Sequence, residues 1–188
     1  MQEIFNKQFS GWKLFHNYSV TNNGRIWFLW KYLLYISFIS LINQSNTCKI
    51  EEDTKRFYFS AIYGYNTWVE RKGLWNPLHF LNRDFSNEPW LMARDFNVIV
   101  QQCESLSGSQ EINSDIRNFV ASRNQLSMFD HAFFGPLFTW KNRQAEGFIA
   151  KKLDKMLING NWFSKFPQSQ VEFLFQEISD HCLALIQL

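Results

Sequence analysis

Short aromatic-rich runs separated by turn signals constrain the fold of this chain more than any other feature of its sequence. In the first half the runs are WKLFHNY, GRIWFLW, LLYISFIS and RFYFSAIYGY, and Asn22-Asn23-Gly24 marks a turn between the first two. Later runs of the same kind are PWLMARDF, LFTWKN, QVEFLFQE and HCLALIQL, while KKLDKMLIN fits a strand or a short helix. This succession predicts strands, some of them joined as hairpins, that must pack as sheets.

Two segments between these runs have helical patterns. The first helix is predicted over Thr67 to about Asn82, with Thr67 as its N-cap and a kink or break at Pro77. The second is predicted over Ser114 to Gln125, with Ser114 as a cap and apolar residues repeating along one face. Because no internal repeat or low-complexity linker occurs, we predict one α+β domain over residues 1–188.

The composition disfavours several classes of protein. An aromatic fraction of 18% argues against disorder, and a net charge of only +2 argues against a strongly basic nucleic-acid-binding surface. The three cysteines lie far apart with no CxxC pair, so neither a disulfide framework nor a zinc site is indicated. A reducing compartment is therefore expected.

The most apolar stretch, residues 26–42, is about as long as the shortest membrane-spanning helix. However, Lys31 lies inside it, tyrosines and serines dilute it, and part of it alternates as strands do. Met1 to Ser10 also lack the apolar core of a signal peptide. We therefore expect strands in this stretch, no membrane association and a soluble intracellular protein.

Polar groups of the kind found at ligand sites accompany four of the runs. They are Tyr63 and Asn66 in IYGYN, Asp95 and Asn97 in ARDFN, Asp154 in KKLDK, and Asp180 and His181 in ISDHC. Each has an ordinary structural explanation as a helix cap, a turn, a surface charge or a hydrogen-bonded histidine. Each also suits a ligand site, because open sheets present ligands at their strand ends. The residues alone leave both interpretations open.

The order of these groups resembles the endonuclease/exonuclease/phosphatase superfamily, and within it the endonuclease domain of LINE-type non-LTR retroelements. Five motifs match: Tyr63-Gly64-Tyr65-Asn66, Arg94-Asp95-Phe96-Asn97, Gly135 through Phe138-Thr139-Trp140 to Asn142, Lys152-Leu153-Asp154-Lys155 with Asn159 and Trp162, and Ser179-Asp180-His181. GRIWFLW and ERKGLW also resemble the retroelement branch, and the likeness extends from about Gly11 to Leu188. The resemblance implies a DNase-I-like sandwich of two mostly antiparallel β-sheets flanked by helices.

The same resemblance implies the Mg²⁺-dependent hydrolysis of DNA phosphodiester bonds. This chemistry needs an activated water, stabilisation of charge on the phosphoryl oxygens and help for the leaving oxygen. By resemblance, Asp95 would orient or deprotonate the water, while Asn97 and Tyr63 would contact the phosphate. Asn66 and Asn142 would hold loops.

Three further residues have roles implied by the resemblance. His181 would stabilise the developing charge or act as an acid–base group, and Asp154 would fix its tautomer. Asp180 would lie at the Mg²⁺ ion. The family implies DNA as partner, no small-molecule cofactor, and a nuclear location.

The sequence departs from the family pattern in two respects. The family opens with a strand of the type WNxRG and a second strand ending in ET, whose Glu is the principal metal ligand, and neither motif occurs here. Glu3 is the nearest carboxylate, but no Thr follows it and no apolar strand precedes it. Arg94 stands where the family has glycine, and could crowd the site, pair with Asp95 or add a phosphate contact. We expect a truncated relative without its first strands, impaired in catalysis and weakened in Mg²⁺ binding.

Absence of those strands would leave unpaired edges and exposed apolar faces, including FYFSAIYGY, and would favour self-association. Two alternatives to an impaired endonuclease stay open. One is an active nuclease or phosphatase with a substitute metal ligand. The other is a noncatalytic nucleic-acid-binding or protein-binding module that uses exposed aromatic side chains.

Overall fold

A six-stranded β-sheet forms the centre of the protein. The structure is a computed structural model, and it describes residues 9–106 and 114–188. The strands are β1 (Trp12–His16), β2 (Trp27–Lys31), β3 (Tyr35–Leu41), β4 (Ser45–Glu52), β5 (Lys55–Tyr63), β6 (Trp90–Asp95), β7 (Phe129–Asp130), β8 (Phe133–Phe134), β9 (Trp140–Lys141), β10 (Ala150–Lys151), β11 (Asp154–Ile158), β12 (Gln170–Leu174) and β13 (Leu183–Gln187). The α-helices are α1 (Trp68–Phe85), α2 (Ser114–Gln125) and α3 (Gly160–Lys165), and Gln102–Glu104 forms a 3₁₀ turn. The central sheet has the order β3-β4-β5-β6-β11-β7, a second sheet has the order β13-β12-β8, and β1-β2 and β9-β10 form separate pairs.

Helices α1 and α2 pack on one face of the central sheet. Leu74 and Leu78 of α1 and Phe119 of α2 form one apolar core with Met92 of β6 and Leu157 of β11. All five side chains are buried. Burial of these apolar side chains is the main contribution to the stability of the layer that the two helices form with the sheet.

The smaller sheets pack on the opposite face. Leu91 and Ala93, the sequence neighbours of Met92, share a core with Val171 and Phe173 of β12. This alternation follows from the period of two in a strand, because successive side chains of β6 point to opposite faces. The β1-β2 hairpin covers the remaining part of that face through Phe28. The result is the α+β sandwich that the sequence predicts.

The two predicted helices are present. Helix α1 extends to Phe85, slightly beyond the predicted end, and the Thr67 side chain accepts a hydrogen bond from the Glu70 backbone N–H, as a cap does. The helix continues through Pro77 without splitting. Leu74 and Leu78 on either side of the proline are buried in one core, which offsets the lost backbone hydrogen bond.

Strand β4 and helix α3 are among the elements that the sequence did not predict. Strand β4 begins with Ser45-Asn46-Thr47, which are buried although they are polar, so no apolar alternation marks the strand. Thr47 Oγ1 lies 2.7 Å from Ser60 Oγ of β5, which satisfies both hydroxyls. Helix α3 has six residues and begins at the Asn159 cap, which is too short for helical periodicity to be visible.

The predicted exposure of FYFSAIYGY is wrong. These residues belong largely to β5, which pairs along its length with β4 on one side and with β6 on the other. Ser60 and Ile62 are buried, and the β1-β2 hairpin packs against Phe59 and Ala61. Self-association through the outer strands of the sheet remains a prediction.

Residues 26–42 form β2, a turn and β3, as the alternating pattern predicts. None of the helices in the described ranges is long and apolar enough to cross a membrane.

Candidate active site

The candidate site lies at one end of the central sheet, where β5 and β6 end and β11 begins. Strands β5 and β6 are parallel, and Tyr63 pairs with Asp95 at their last residues. Strand β11 is antiparallel to β6, so its first residue, Asp154, also pairs with Asp95. A bridge between Trp140 and His181 brings the chain before β13 to the same edge. The topology therefore gathers groups from four distant parts of the sequence.

Asn97 holds the Asp95 carboxylate. The Asn97 backbone N–H donates to Asp95 Oδ1 at 2.9 Å, and its side-chain Nδ2 donates to Asp95 Oδ2 at 3.0 Å. The same Nδ2 donates to the Gly64 carbonyl at 2.7 Å, so both amide N–H groups are engaged. Asn97 has φ 52°, a left-handed conformation that asparagine tolerates. Asp95 and Asn97 therefore form the turn that the sequence allowed as their structural explanation, and this turn fixes the Asp95 carboxylate at the edge of the sheet.

His181 lies between two carboxylates. Its Nδ1 is 2.8 Å from Asp154 Oδ2, and its Nε2 is 3.9 Å from Asp95 Oδ2. Asp154 has no exposed side-chain surface. Thr139 Oγ1 accepts hydrogen bonds from the backbone N–H groups of Leu153 and Asp154 at 3.1 and 2.9 Å, which fixes the start of β11. Asp154 is therefore placed to orient the imidazole.

Burial and neighbouring charges shift the pKa values of Asp95 and His181. Burial, and then the charge of Asp154, raise the pKa of Asp95 to about 6. Burial opposes a charge on His181, but the hydrogen bond that the imidazole donates to Asp154 and the charges of Asp154 and Asp95 outweigh it and raise the pKa of the imidazole. The edge therefore holds a carboxylate whose pKa lies near neutrality beside an imidazole whose pKa is raised, a pair suited to acid–base chemistry.

Arg94 occupies a backbone position suited to glycine. Its φ of 95° is rarely adopted by residues with a Cβ, which explains why glycine fits here. Its Nη1 donates to the Cys182 carbonyl at 3.0 Å and lies 3.7 Å from Asp154 Oδ1. The direct ion pair of Arg94 is thus with Asp154, whereas the sequence suggested pairing with Asp95.

The strain at this position can be measured by comparing two truncations. Arg94→Gly and Arg94→Ala remove the same side-chain contacts, but only glycine relieves the positive φ. We expect Arg94→Gly to be more stable than Arg94→Ala by about 1 kcal/mol, as measured by urea denaturation. Equal stabilities would mean that the backbone at residue 94 is not strained.

The described residues do not fit a magnesium site. Asp180, the expected metal residue, is exposed, and its Oδ2 accepts a hydrogen bond from the Trp140 indole at 3.0 Å. Both oxygen atoms of Asp95 accept hydrogen bonds from Asn97, and Asp154 Oδ2 lies 2.8 Å from His181 Nδ1. Within residues 9–106 and 114–188, no group of three or more His, Cys, Asp or Glu side chains is arranged to hold a metal ion. Glu3 lies outside the described residues.

The structure adds residues of the β1-β2 hairpin to the site. An open cavity of about 290 Å³ beside His181 is lined by Tyr63 and Asp95 of the central sheet and by Arg25 and Trp27 of the hairpin. GRIWFLW contributed to the family resemblance, but local periodicity does not reveal which sheet a hairpin packs on. Sequence reasoning therefore gave these two residues no role.

The two asparagines expected to hold loops lie away from this cavity. The Asn142 side chain donates to the Gly147 carbonyl at 2.8 Å and accepts from the Ile149 backbone N–H at 3.0 Å, so it closes the loop between β9 and β10. Asn66 is exposed in the segment that precedes α1.

Comparison with known proteins shows the fold. No family model and no curated protein matches the sequence. The endonuclease domain of TRAS1, a telomere-specific non-LTR retrotransposon, superimposes with a TM-score of 0.75 at 10% identity, covering 96% of this chain and 81% of that chain. TDP2 from D. rerio, complexed with a single-strand DNA product, has a TM-score of 0.59 at 12% identity, covering 96% of this chain and 78% of that chain. TDP2 from Caenorhabditis elegans has a TM-score of 0.58 at 12% identity, covering 97% of this chain and 58% of that chain. The chain has the DNase-I-like fold that its motif order predicts.

Proposed function

From this fold and site, we propose that the chain is a retroelement-type endonuclease domain that retains acid–base groups for DNA phosphodiester hydrolysis but binds Mg²⁺ weakly and is impaired in cleavage. The observation that supports the proposal best is the position of His181, 2.8 Å from Asp154 and 3.9 Å from Asp95. Similarity to the TRAS1 endonuclease domain and to TDP2 in complex with DNA supports a nucleic-acid strand as the substrate.

The proposed chemistry assigns one proton or charge to each group. Asp95 orients a water molecule and accepts its proton, because its pKa of about 6 lies close to neutrality. The protonated His181 stabilises charge that develops on the phosphoryl oxygens, and Asp154 keeps the imidazole in place. Asn97 holds Asp95 instead of contacting phosphate, because its amide N–H groups are already donated.

The proposed impairment follows from how the carboxylates are used. Mg²⁺ in proteins is usually held through one or two carboxylates together with phosphate and water, and it stabilises the charge of the transferring group. Here Arg94 lies 3.7 Å from Asp154 Oδ1, and the indole of Trp140 binds Asp180. These contacts compete with a cation for the same oxygen atoms.

Plasmid nicking in Mg²⁺ tests the proposed function. We expect the chain to convert supercoiled plasmid to the open circle no faster than the Asp95→Ala/His181→Ala double variant. Faster nicking would contradict the impairment and would favour an active enzyme with a substitute metal ligand.

A gel shift with an oligonucleotide tests the DNA part of the proposal separately. We expect retention that weakens as salt is raised, because phosphate contacts release counterions. A complete lack of retention at low salt would contradict DNA as the partner.

A further inference from the structure

The cavity beside His181 has two walls that come from different layers of the sandwich. Asp95 and His181 belong to the wall at the end of the central sheet, whereas Arg25 and Trp27 belong to the β1-β2 hairpin. A ligand whose phosphate lies at His181 would therefore extend across to the hairpin. Only the first wall takes part in the chemistry proposed above.

Arg25 is positioned as an anion-binding group. Its guanidinium lies 4.7 Å from the centre of the Tyr63 ring. Among the residues that the structure describes, no carboxylate forms an ion pair with Arg25. A guanidinium stacked on an aromatic face keeps its N–H edge available for phosphate. Tyr63 thus orients a positive charge toward the cavity.

Trp27 is positioned as a stacking surface beside Arg25. Ile26 and Phe28 are buried in the core, whereas Arg25 and Trp27 are exposed, so the two exposed residues lie on the same side of the hairpin. The Trp27 indole N–H donates to the Gly24 carbonyl at 2.6 Å, which fixes the ring. Its side chain remains 41% exposed, enough for a base to stack on it.

We propose that Arg25 and Trp27, with the Tyr63 ring holding the Arg25 guanidinium, form a nucleotide-binding wall next to the scissile phosphate. Arg25 pairs with the phosphate of the neighbouring nucleotide, and Trp27 stacks on its base. This inference rests on the proposed function, because it takes the ligand to be a DNA strand. Stacking requires an unpaired base, so the wall favours single-stranded or frayed DNA over intact duplex.

Fluorescence anisotropy with a labelled single-stranded oligonucleotide and the matching blunt duplex tests the wall. Arg25→Gln should weaken single-strand binding about tenfold and reduce the salt dependence by about one phosphate contact. Trp27→Leu should weaken single-strand binding about fivefold or more and leave duplex binding nearly unchanged. Lys13→Gln is the matched control, because it removes one exposed charge from β1 of the same hairpin. It should change neither single-strand binding nor duplex binding by more than about twofold.

Each outcome decides the inference. Circular dichroism and thermal melting of each variant establish that the hairpin is folded, and Arg25→Gln serves if Trp27→Leu does not fold. If the unchanged chain binds DNA and Arg25→Gln binds as tightly as Lys13→Gln, the wall is overturned while the proposed function stands. If the unchanged chain binds neither the single strand nor the duplex, the wall and the proposed function are both overturned.

Discussion

Replacing Glu104 with alanine is expected to destabilise the chain by about 3–5 kcal/mol, because it leaves a buried lysine without its counter-charge. Glu104 Oε2 lies 3.0 Å from Lys155 Nζ, and its Oε1 lies 3.6 Å from Lys152 Nζ. All three side chains are buried. Burial already lowers the pKa of Lys155, so its charged form depends on the carboxylate.

Lys155→Met is the matched control for this prediction. It removes the other partner but leaves Glu104 with Lys152 and with the Val100 backbone N–H, which donates to Oε2 at 2.5 Å. We therefore expect Lys155→Met to cost clearly less than Glu104→Ala in urea denaturation followed by tryptophan fluorescence. A loss below about 1 kcal/mol for Glu104→Ala would contradict a buried ion cluster at this position.

Asp95→Asn is expected to remove about 3 kcal/mol of pH-dependent stability. The pKa of Asp95 rises from 3.8 to about 6 on folding because burial, and then the charge of Asp154, disfavour the carboxylate. A group with a raised folded-state pKa contributes stability that is fully present below its unfolded pKa and is lost as pH rises through its folded pKa. The unchanged chain should therefore lose this contribution between about pH 4 and pH 7, and the asparagine variant should not.

Urea denaturation at several pH values across this window measures the difference between the two chains. Asp84→Asn makes the same substitution at an exposed position of α1, and it should follow the unchanged chain. Parallel curves for Asp95→Asn and the unchanged chain would contradict a buried, destabilised carboxylate at residue 95.

Local sequence patterns predicted the parts of the fold that depend on neighbouring residues. Helix α2 has the predicted bounds because its apolar repeat is local, and the run that ends in Asp95 forms β6 as expected. Strand β4 was not predicted because its buried start is polar, and among those polar groups the Thr47 hydroxyl is paired with Ser60 of β5. Burial of that kind depends on partners that local sequence does not reveal.

In the candidate site too, some residues were predicted from the sequence, whereas some contacts were not. The order of the motifs identified Asp95, Asp154 and His181 together as candidate site residues, and the strand register explains their proximity. The contact of Arg94 with Asp154 depends on a positive φ, and the approach of Arg25 to Tyr63 depends on the packing of a hairpin. Both are consequences of tertiary structure, so no spacing rule could have found them.

Titrating the chain with Mg²⁺ by isothermal calorimetry tests the central claim most directly, namely that the acid–base groups persist without a complete cation site. We predict no saturable binding, and the same result for Asp180→Ala, because both oxygen atoms of Asp95 and one oxygen atom each of Asp154 and Asp180 are hydrogen-bonded to other protein groups. A saturable site that Asp180→Ala abolishes would contradict this account.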